Sequence, residues 1–306
     1  MVEHGFGVFL PLIGLEWAQL RERVLEIEEL GYDSVWFDDH FWFPGAPERD
    51  HLEVWTVLSA LAAVTARLAL GPLVLAQSFR SPGLLAKMAA SLSRVSAGRL
   101  RLGLGAGWME EEYRAYGFVL PPPRDRIEQL GEVVEIVRRL WRDERATYAG
   151  RHHRVADAPC RPKPLHLPLI LGGSGDRLLA LAARHADGWN SPNPAWRDLP
   201  VKRERLVRLC ESIRRDPQNI EISEQVIVVV GATEKEVSRE LERARESLAG
   251  FARFDGDVHV GTPEKIAEAL RARRALGVDS FMVMFGDFGS RDQIRIFGER
   301  VLPLLR

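Results

Sequence analysis

The sequence predicts one domain over residues 1–306 with the fold of a (β/α)8 barrel. Short apolar runs alternate along the chain with longer stretches in which apolar residues recur at helical spacing. The runs are apolar throughout, which is typical of parallel strands covered by helices. The length of 306 residues lies within the roughly 200 to 400 residues of such barrels. An open, doubly wound sheet is the alternative, but the glycine-rich turn lacks the acidic residue spaced for a Rossmann ribose contact.

Eight strand-like runs define the barrel, and each is followed by a helical pattern. In the first helical pattern, Leu20, Val24 and Ile27 share one face, and a glycine follows at the predicted end. The predicted strands are residues 6–10, 34–37, 68–75, 100–104, 169–171, 188–190, 225–230 and 280–285. The predicted helices are residues 17–30, 51–65, 83–96, 124–141, 176–185, 195–215, 233–248, 262–276 and 291–305. Residues 143–167 are rich in proline and turn residues and break this alternation, so we expect an insertion there, a small hairpin.

The charge balance excludes some classes of partner. The chain has 42 Lys and Arg against 43 Asp and Glu, a formal net charge of −1, so we expect neither nucleic acid nor an anionic membrane as a partner. No run approaches the ~18 apolar residues of a membrane span. The first residues predict a strand and lack the pattern of a signal peptide. We therefore expect a cytoplasmic protein that acts on a small molecule.

The two cysteines do not indicate a metal or redox site. Cys160 and Cys210 form neither a Cys-x-x-Cys pair nor a metal-ligand spacing. Two reduced thiols are the expectation, and a disulfide between them is the alternative. We expect no metal site, because His40 has no partner at ligand spacing and the His152-His153 pair lies in the predicted insertion.

The carboxyl end of the second predicted strand carries Asp38, Asp39 and His40. In a (β/α)8 barrel the active site lies at the carboxyl ends of the strands. Asp38 or Asp39 is expected to orient the His40 ring and raise its pKa, which makes His40 a candidate acid or base near neutral pH. A histidine that caps a turn or anchors this loop is the alternative.

A glycine-rich turn follows the fourth predicted strand. Gly103, Gly105 and Gly107 alternate with Leu104 and Ala106, and Trp108 and an acidic run, residues 110–112, come next. Glycine lets a ligand approach the main chain closely, and backbone N–H groups at the start of a helical turn attract phosphate. Trp108 is expected to wall an aromatic ring. A closely packed turn with a solvated acidic face is the alternative.

A second glycine-rich turn, Gly172-Gly173-Ser174-Gly175, follows the fifth predicted strand. The two turns would be neighbours in a barrel and would together hold one phosphate-bearing cofactor through main-chain N–H groups and the Ser174 hydroxyl. No Walker lysine follows either turn, so an NTPase is not expected.

Five segments in this order resemble the bacterial-luciferase-like superfamily, and within it the deazaflavin (coenzyme F420)-dependent branch. They are YDSVWFDDHF, LGPLVLAQSFRSPGLLAK, GRLRLGLGAGWMEEEYRAYGF, GRHHRVADAPCRPKP and LILGGSGDRLLALAARHADGWN, from about residue 30 to about residue 193. The resemblance implies a flavin-type ring in the mouth of the barrel, with Asp39 and His40 near it. Leu73-Val74 matches a bulge where members often have a non-prolyl cis peptide that backs the ring. The cofactor contacts expected are Asp39, Leu73, Val74, Ala76, Gly105, Ala106, Gly107, Trp108, Gly172, Gly173, Ser174 and Gly175.

One departure from that branch concerns the substrate. Its sugar-phosphate dehydrogenases carry a glutamate after the fourth strand, where this chain has Gly107-Trp108, and Glu110 to Glu112 lie further along. This difference argues against a sugar phosphate as the substrate.

The sequence thus predicts an oxidoreductase that transfers a hydride between coenzyme F420 and a small organic substrate. His40 is the candidate acid or base with Asp39 beside it, and Glu112 is the next candidate. An FMN-dependent, luciferase-like monooxygenase and a flavin-binding protein without turnover are the alternatives. A homodimer is expected through the second and third helices, which are rich in Leu, Ala and Val.

Overall fold

The computed structural model describes residues 5–192, 198–249, 252–254 and 256–306. The strands of this part are β1 (Phe6–Phe9), β2 (Ser34–Phe37), β3 (Ala69–Pro72), β4 (Leu75–Ala76), β5 (Leu102–Gly105), β6 (Arg145–Ala149), β7 (Arg154–Pro159), β8 (Leu169–Gly172), β9 (Gly188–Ser191), β10 (Glu221–Val230), β11 (Val258–Gly261) and β12 (Ser280–Phe285). Its helices are α1 (Trp17–Glu29), α2 (Val54–Val64), α3 (Pro82–Val95), α4 (Glu110–Ala115), α5 (Pro123–Arg142), α6 (Asp176–His185), α7 (Leu199–Ser212), α8 (Glu234–Ser247), α9 (Pro263–Ala275), α10 (Arg291–Ile296) and α11 (Leu302–Leu305).

A parallel sheet closes into a barrel. Its strand order is β3-β2-β1-β12-β10-β9-β8-β5-β4, with β11 paired to β10. The two ends of this order, β3 and β4, are consecutive parts of the third predicted strand, and Leu70 of β3 bridges to Leu100 in front of β5. Helices lie between successive strands of the barrel, except between β3 and β4, as right-handed parallel connections require. The predicted (β/α)8 barrel is confirmed.

Apolar side chains fill the inside of the barrel. Phe9, Trp36, Ile170, Ile227 and Met282 belong to one buried cluster there. Glycines on the strands beside β2 make room for the large Trp36 ring, because a Cβ atom at Gly7 or Gly71 would come within 2.7 or 2.6 Å of it. A second and larger apolar cluster lies between the strands and the surrounding helices. Burial of these two layers from water is the main force that holds the helices on the barrel.

The predicted insertion is also confirmed. β6 and β7 form an antiparallel hairpin separate from the barrel sheet. Trp141 of α5 donates a hydrogen bond from its indole nitrogen to the Ala86 carbonyl of α3 at 3.0 Å, which fixes α5 beside α3 where the hairpin begins.

Several elements differ from the sequence prediction. The short helix α4 lies outside every predicted helix, and the helix predicted at residues 291–305 contains a π-helical turn at Phe297–Val301. The third predicted strand is interrupted at Leu73-Val74, whose peptide bond is cis as the resemblance implied. The strand β11 was not predicted, because its four residues lack a distinctive apolar pattern. β10 begins four residues earlier than predicted. The charged Glu224 hides this part of the strand in the sequence, but in the structure its carboxylate accepts a hydrogen bond from Nε of Arg273 in α9 at 2.9 Å and can therefore be buried.

The helix predicted at residues 195–215 is described from Leu199 onward, and its first residues, 195–197, lie outside the described part of the chain. No helix in the described ranges has both the length and the apolar character needed to cross a membrane.

Candidate active site

A cavity of about 590 Å³ opens at the carboxyl ends of the barrel strands. This volume falls within the range of about 300 to 1,000 Å³ typical of ligand sites. The structure brings all of the predicted site residues to its wall, namely Asp39, His40, Leu73, Val74, Ala76, Gly105, Ala106, Gly107, Trp108, Glu112, Gly172, Gly173, Ser174 and Gly175. Four separate connections, those after β2, β3, β5 and β8, contribute these residues.

His40 is held by a glutamate from another connection. Its Nδ1 lies 3.0 Å from Oε2 of Glu112 in α4, and Oε1 of the same carboxylate accepts a hydrogen bond from the Phe41 backbone N–H at 2.5 Å. Because a carboxylate only accepts hydrogen bonds, Nδ1 of His40 carries the hydrogen. Nε2 then has no hydrogen-bond partner among the described residues and is available to a ligand in the cavity.

The pKa of His40 is raised by its surroundings. Burial alone would lower it, but the hydrogen bond to Glu112 and the charges of Asp38, Glu112 and Asp39 outweigh that effect. The protonated ring is therefore more populated near neutral pH than in a free histidine.

The two aspartates beside His40 have other partners, which corrects the expectation that one of them binds its ring. Asp38 lies 2.9 Å from Nε2 of His51 and accepts a hydrogen bond from the Leu12 backbone N–H at 3.0 Å. Asp39 accepts two hydrogen bonds from Arg80, at 2.8 and 3.0 Å, and one from the Ala76 backbone N–H. Both act on His40 through their charge alone.

Asp38 and Asp39 respond differently to burial. Burial works to raise the pKa of Asp38, but His51, His40 and the Leu12 N–H together lower it. For Asp39, burial outweighs Arg80, and the pKa is raised. The pKa values of two adjacent carboxyl groups are thus shifted in opposite directions, because the partners of Asp38 outweigh its burial and those of Asp39 do not.

The bulge at Leu73-Val74 explains several of the glycines. The Val74 side chain points between β5 and β8, where a Cβ atom at Gly105 would come within 2.5 Å of it and one at Gly172 within 2.8 Å. A Cβ atom at Gly103 would overlap the Pro72 carbonyl oxygen. These glycines make room for the bulge, a packing role that the sequence does not reveal.

Gly107 is required by its own turn. Its φ of +76° lies in the left-handed region, and a Cβ atom there would overlap the Tyr113 hydroxyl. That hydroxyl shares a hydrogen bond with Ser78 at 2.6 Å, and Arg126 donates to the Gly107 carbonyl at 2.5 Å. Beside this turn the Trp108 ring stands edge-on to His40, with centroids 5.6 Å apart.

The second glycine-rich turn leads into an open helix end. Gly175 is the N-cap of α6, and a Cβ atom on it would meet nothing within 4 Å. The first hydrogen bond of the helix runs from Leu179 to the Gly175 carbonyl at 3.0 Å, so the preceding N–H groups have no helical acceptor. Ser174 and Arg177 also line the cavity here.

Several functional neighbours were not predicted. Tyr113 and Gln225 line the cavity, and Arg80 and His51 bind the two aspartates. Asn190, which ends the sixth predicted strand, also lines the cavity, as its position at the carboxyl end of a strand predicts. Arg80 and His51 gave no such signal, because only the folded chain shows which carboxylate each one meets. Within the described ranges no three His, Cys, Asp or Glu side chains are placed to hold a metal ion.

Comparison with known proteins identifies a family and curated relatives that match parts of this chain. The model of a family described as luciferase-like monooxygenase matches residues 6–259. An F420-dependent glucose-6-phosphate dehydrogenase of Microbacterium testaceum is 36% identical over 166 residues, which cover 53% of this chain and 48% of that protein. The chain thus matches about half the length of this curated relative.

Solved structures share the fold at low sequence identity. An F420-dependent secondary alcohol dehydrogenase in complex with an F420-acetone adduct has a TM-score of 0.87 at 21% identity and covers 99% of both chains. A riboflavin lyase with modified FMN and riboflavin has a TM-score of 0.84 at 17% identity, over 99% of this chain and 91% of that one. At this identity the likeness shows the fold alone.

Proposed function

This chain belongs to the luciferase-like monooxygenase family, and we propose that it is an oxidoreductase that transfers a hydride between coenzyme F420 and a small organic substrate. The observation that carries the proposal is the position of His40. It is locked at Nδ1 by Glu112 and faces a cavity whose other walls are the Leu73-Val74 bulge and the open end of α6. The curated relatives, which are named as F420-dependent dehydrogenases, favour F420 over FMN.

The residues present fit a phosphate-bearing cofactor at the second glycine-rich turn. α6 has ten residues, and its first N–H groups, together with the Ser174 hydroxyl, offer donors to an anion. Asp176 in the first turn would oppose an anion, but Lys202 at 3.4 Å and Arg205 at 3.1 Å offset its charge. The first glycine-rich turn is the poorer phosphate seat, since it leads into the three glutamates that open α4.

The opposite wall suits a flat ring. Leu73, Val74 and Ala76 line the cavity with apolar side chains at the bulge, and Asp39 accepts a hydrogen bond from the Ala76 backbone N–H at 2.9 Å. When bound there, the deazaflavin supplies the hydride chemistry, and the protein supplies position and proton transfer.

His40 is the catalytic residue of this proposal. Its Nε2 takes a proton from the substrate when the substrate is oxidised and returns one when the substrate is reduced. Glu112 and Asp39 are positioning residues. Glu112 fixes the tautomer and direction of the ring, and Asp39 ties the loop after β2 to the bulge through Ala76 and Arg80.

Anaerobic titration tests the cofactor. The fluorescence of F420 should be quenched or shifted when it binds to the protein. Its dissociation constant should be micromolar or lower, and FMN should bind more weakly. FMN that co-purifies in stoichiometric amount and is not displaced by F420 would contradict the assignment to the F420-dependent branch. Binding of F420 with no turnover in an activity screen would instead support the alternative of a binding protein without turnover.

A cytoplasmic homodimer is part of the proposal. Cys160 and Cys210 are both free and buried, as expected of a reducing compartment. On α3, Leu84 and Val95 are 54% and 59% exposed, an apolar surface next to α2 that a second copy would cover. Light scattering at tens of micromolar should give the mass of a dimer, and Leu84→Glu with Val95→Glu should give a monomer. A monomeric parent protein contradicts this part.

A further inference from the structure

The charges on the wall of the cavity are not evenly distributed. Around His40 the charged groups that line it are three carboxylates, those of Asp38, Asp39 and Glu112. All three are almost fully buried, and each faces a basic side chain that it engages. Among the described residues, this end of the cavity therefore offers no unpaired cation to an anionic substrate.

The cations near these carboxylates are already engaged. Arg80 binds Asp39 at 2.8 Å and Glu53 at 2.6 Å. His51 faces Asp38, and His40 faces Glu112. In the described part of the chain, no lysine or arginine that lines the cavity lies at the His40 end.

The basic side chains lie at the opposite end. Arg177 lines the cavity beside Ser174, and Lys202 and Arg205 reach Asp176 at the start of α6. Positive charge is thus concentrated at the turn that we assign to the cofactor phosphate. Little is left to bind a phosphate on the substrate.

Aromatic rings lie next to His40, and Trp108 among them lines the cavity. Trp108 is 62% exposed and stands edge-on to the imidazole. Tyr116 is 55% exposed and stacks on Phe41 with centroids 4.1 Å apart, and Trp42 lies 5.8 Å from Tyr116. An exposed aromatic ring on the wall of a cavity is typical of a binding surface for planar, apolar groups.

We propose that the substrate is an uncharged alcohol or carbonyl compound bearing a planar apolar group, which Trp108 contacts, and that phosphorylated sugars are excluded. This inference rests on the function proposed above. In the oxidative direction the carbinol carbon loses a hydride to oxidised F420 and its hydroxyl loses a proton to His40, which yields a carbonyl compound and reduced F420. The reverse direction returns both to the carbonyl.

A matched pair of substrates tests the charge argument. 1-Phenylethanol and 1-(4-carboxyphenyl)ethanol share the ring and the reacting carbon and differ by one negative charge. With F420 present, we expect kcat/KM to be at least about tenfold higher for the neutral member, because the carboxylate of the other member would lose water at a site with no free cation to bind it. Glucose 6-phosphate should be no better than glucose.

Three variants test the aromatic contact. Trp108→Ala should raise KM for 1-phenylethanol by about three- to tenfold with little change in kcat, the loss expected for one aromatic contact. Trp108→Phe should restore most of the parent KM. Val119→Ala, an exposed apolar residue outside the cavity wall, is the matched control and should change neither constant.

Binding measured without turnover separates the two proposals. Saturation-transfer NMR of the F420-loaded protein should detect acetophenone and not 4-acetylbenzoate or glucose 6-phosphate. Preference for either anion, or no binding of acetophenone at millimolar concentration, overturns the inference on the substrate while F420 binding stands. Failure of the protein to bind F420 at all overturns the proposed function itself.

Discussion

After β5 the chain turns through glycines into the six-residue helix α4, whereas after β8 it turns through glycines into the ten-residue helix α6. The two turns border the same cavity. The first is closed by side chains: Tyr113 and Arg126 hold Gly107, and Glu112 holds His40. The second leaves the start of α6 open, with no atom near the Cβ position of Gly175.

This difference shows that two similar glycine-rich turns can contain glycine for different physical reasons. Gly107 needs a left-handed backbone and the space of a missing side chain, whereas Gly175 has an ordinary φ of −75°. The first turn positions a proton-transfer group, and the second offers backbone donors to an anion. We therefore expect substitutions at the first turn to affect stability and rate, and substitutions at the second to affect cofactor affinity.

The largest expected effect is that of His40→Ala. Loss of general acid–base catalysis should lower the rate of the chemical step by ~10² to 10⁴-fold, while the F420 dissociation constant stays within about tenfold. His40→Asn should be nearly as slow, because an amide cannot transfer a proton near neutral pH. Single-turnover kinetics and fluorescence titration measure the two quantities. If both variants lose F420 binding and thermal stability together, His40 is an anchor of its loop.

Gly107→Ala should destabilise the fold. The left-handed backbone costs an alanine ~1 to 2 kcal/mol, and the new methyl group would displace the Tyr113 hydroxyl from Ser78, so the total should be about 1 to 3 kcal/mol. Gly175→Ala is the matched control and should stay within about 0.5 kcal/mol. Urea unfolding of the two variants makes the comparison. Equal free energies of unfolding for the two variants would show that the first turn accommodates a methyl group at position 107 without strain.

Glu112→Gln should shift the pH dependence of substrate oxidation to lower pH. The carboxylate favours the protonated imidazole and so raises the pKa of His40, and its removal lowers that pKa. The unprotonated ring, which oxidation requires, then forms at lower pH. Glu110→Gln, which changes an exposed carboxylate on the same helix, should leave the midpoint in place. A profile unchanged by Glu112→Gln would remove His40 from the proton transfer.

The smallest expected effect is that of Ser174→Ala. One hydrogen bond to the cofactor phosphate is lost, which corresponds to about a two- to tenfold weaker F420 affinity, with kcat at saturation unchanged. Fluorescence titration and saturation kinetics test this split between binding and rate. A fall in kcat with unchanged affinity would place Ser174 near the reacting atoms, contrary to our assignment.

The sequence by itself determined the barrel and the location of its working end. Continuous apolar runs and helical spacing are local signals, and the ends of the runs located Asp39, His40 and both glycine-rich turns. Since parallel strands bring their carboxyl ends to one side, residues as far apart as His40 and Ser174 could be assigned to one cavity from their order alone. Resemblance to a known family also placed the bulge at Leu73-Val74.

Only the tertiary structure decided which side chains meet. His40 binds Glu112, 72 residues away, and its sequence neighbours bind His51 and Arg80. The order of strands fixes which loops are adjacent but leaves open the direction of each side chain and the reach of α4. The need for glycine beside Val74 and the distribution of charge along the cavity also depend on contacts between residues that are distant in the sequence. Contacts between distant elements depend on distances of a few ångströms, and hydrophobic periodicity carries no information on that scale.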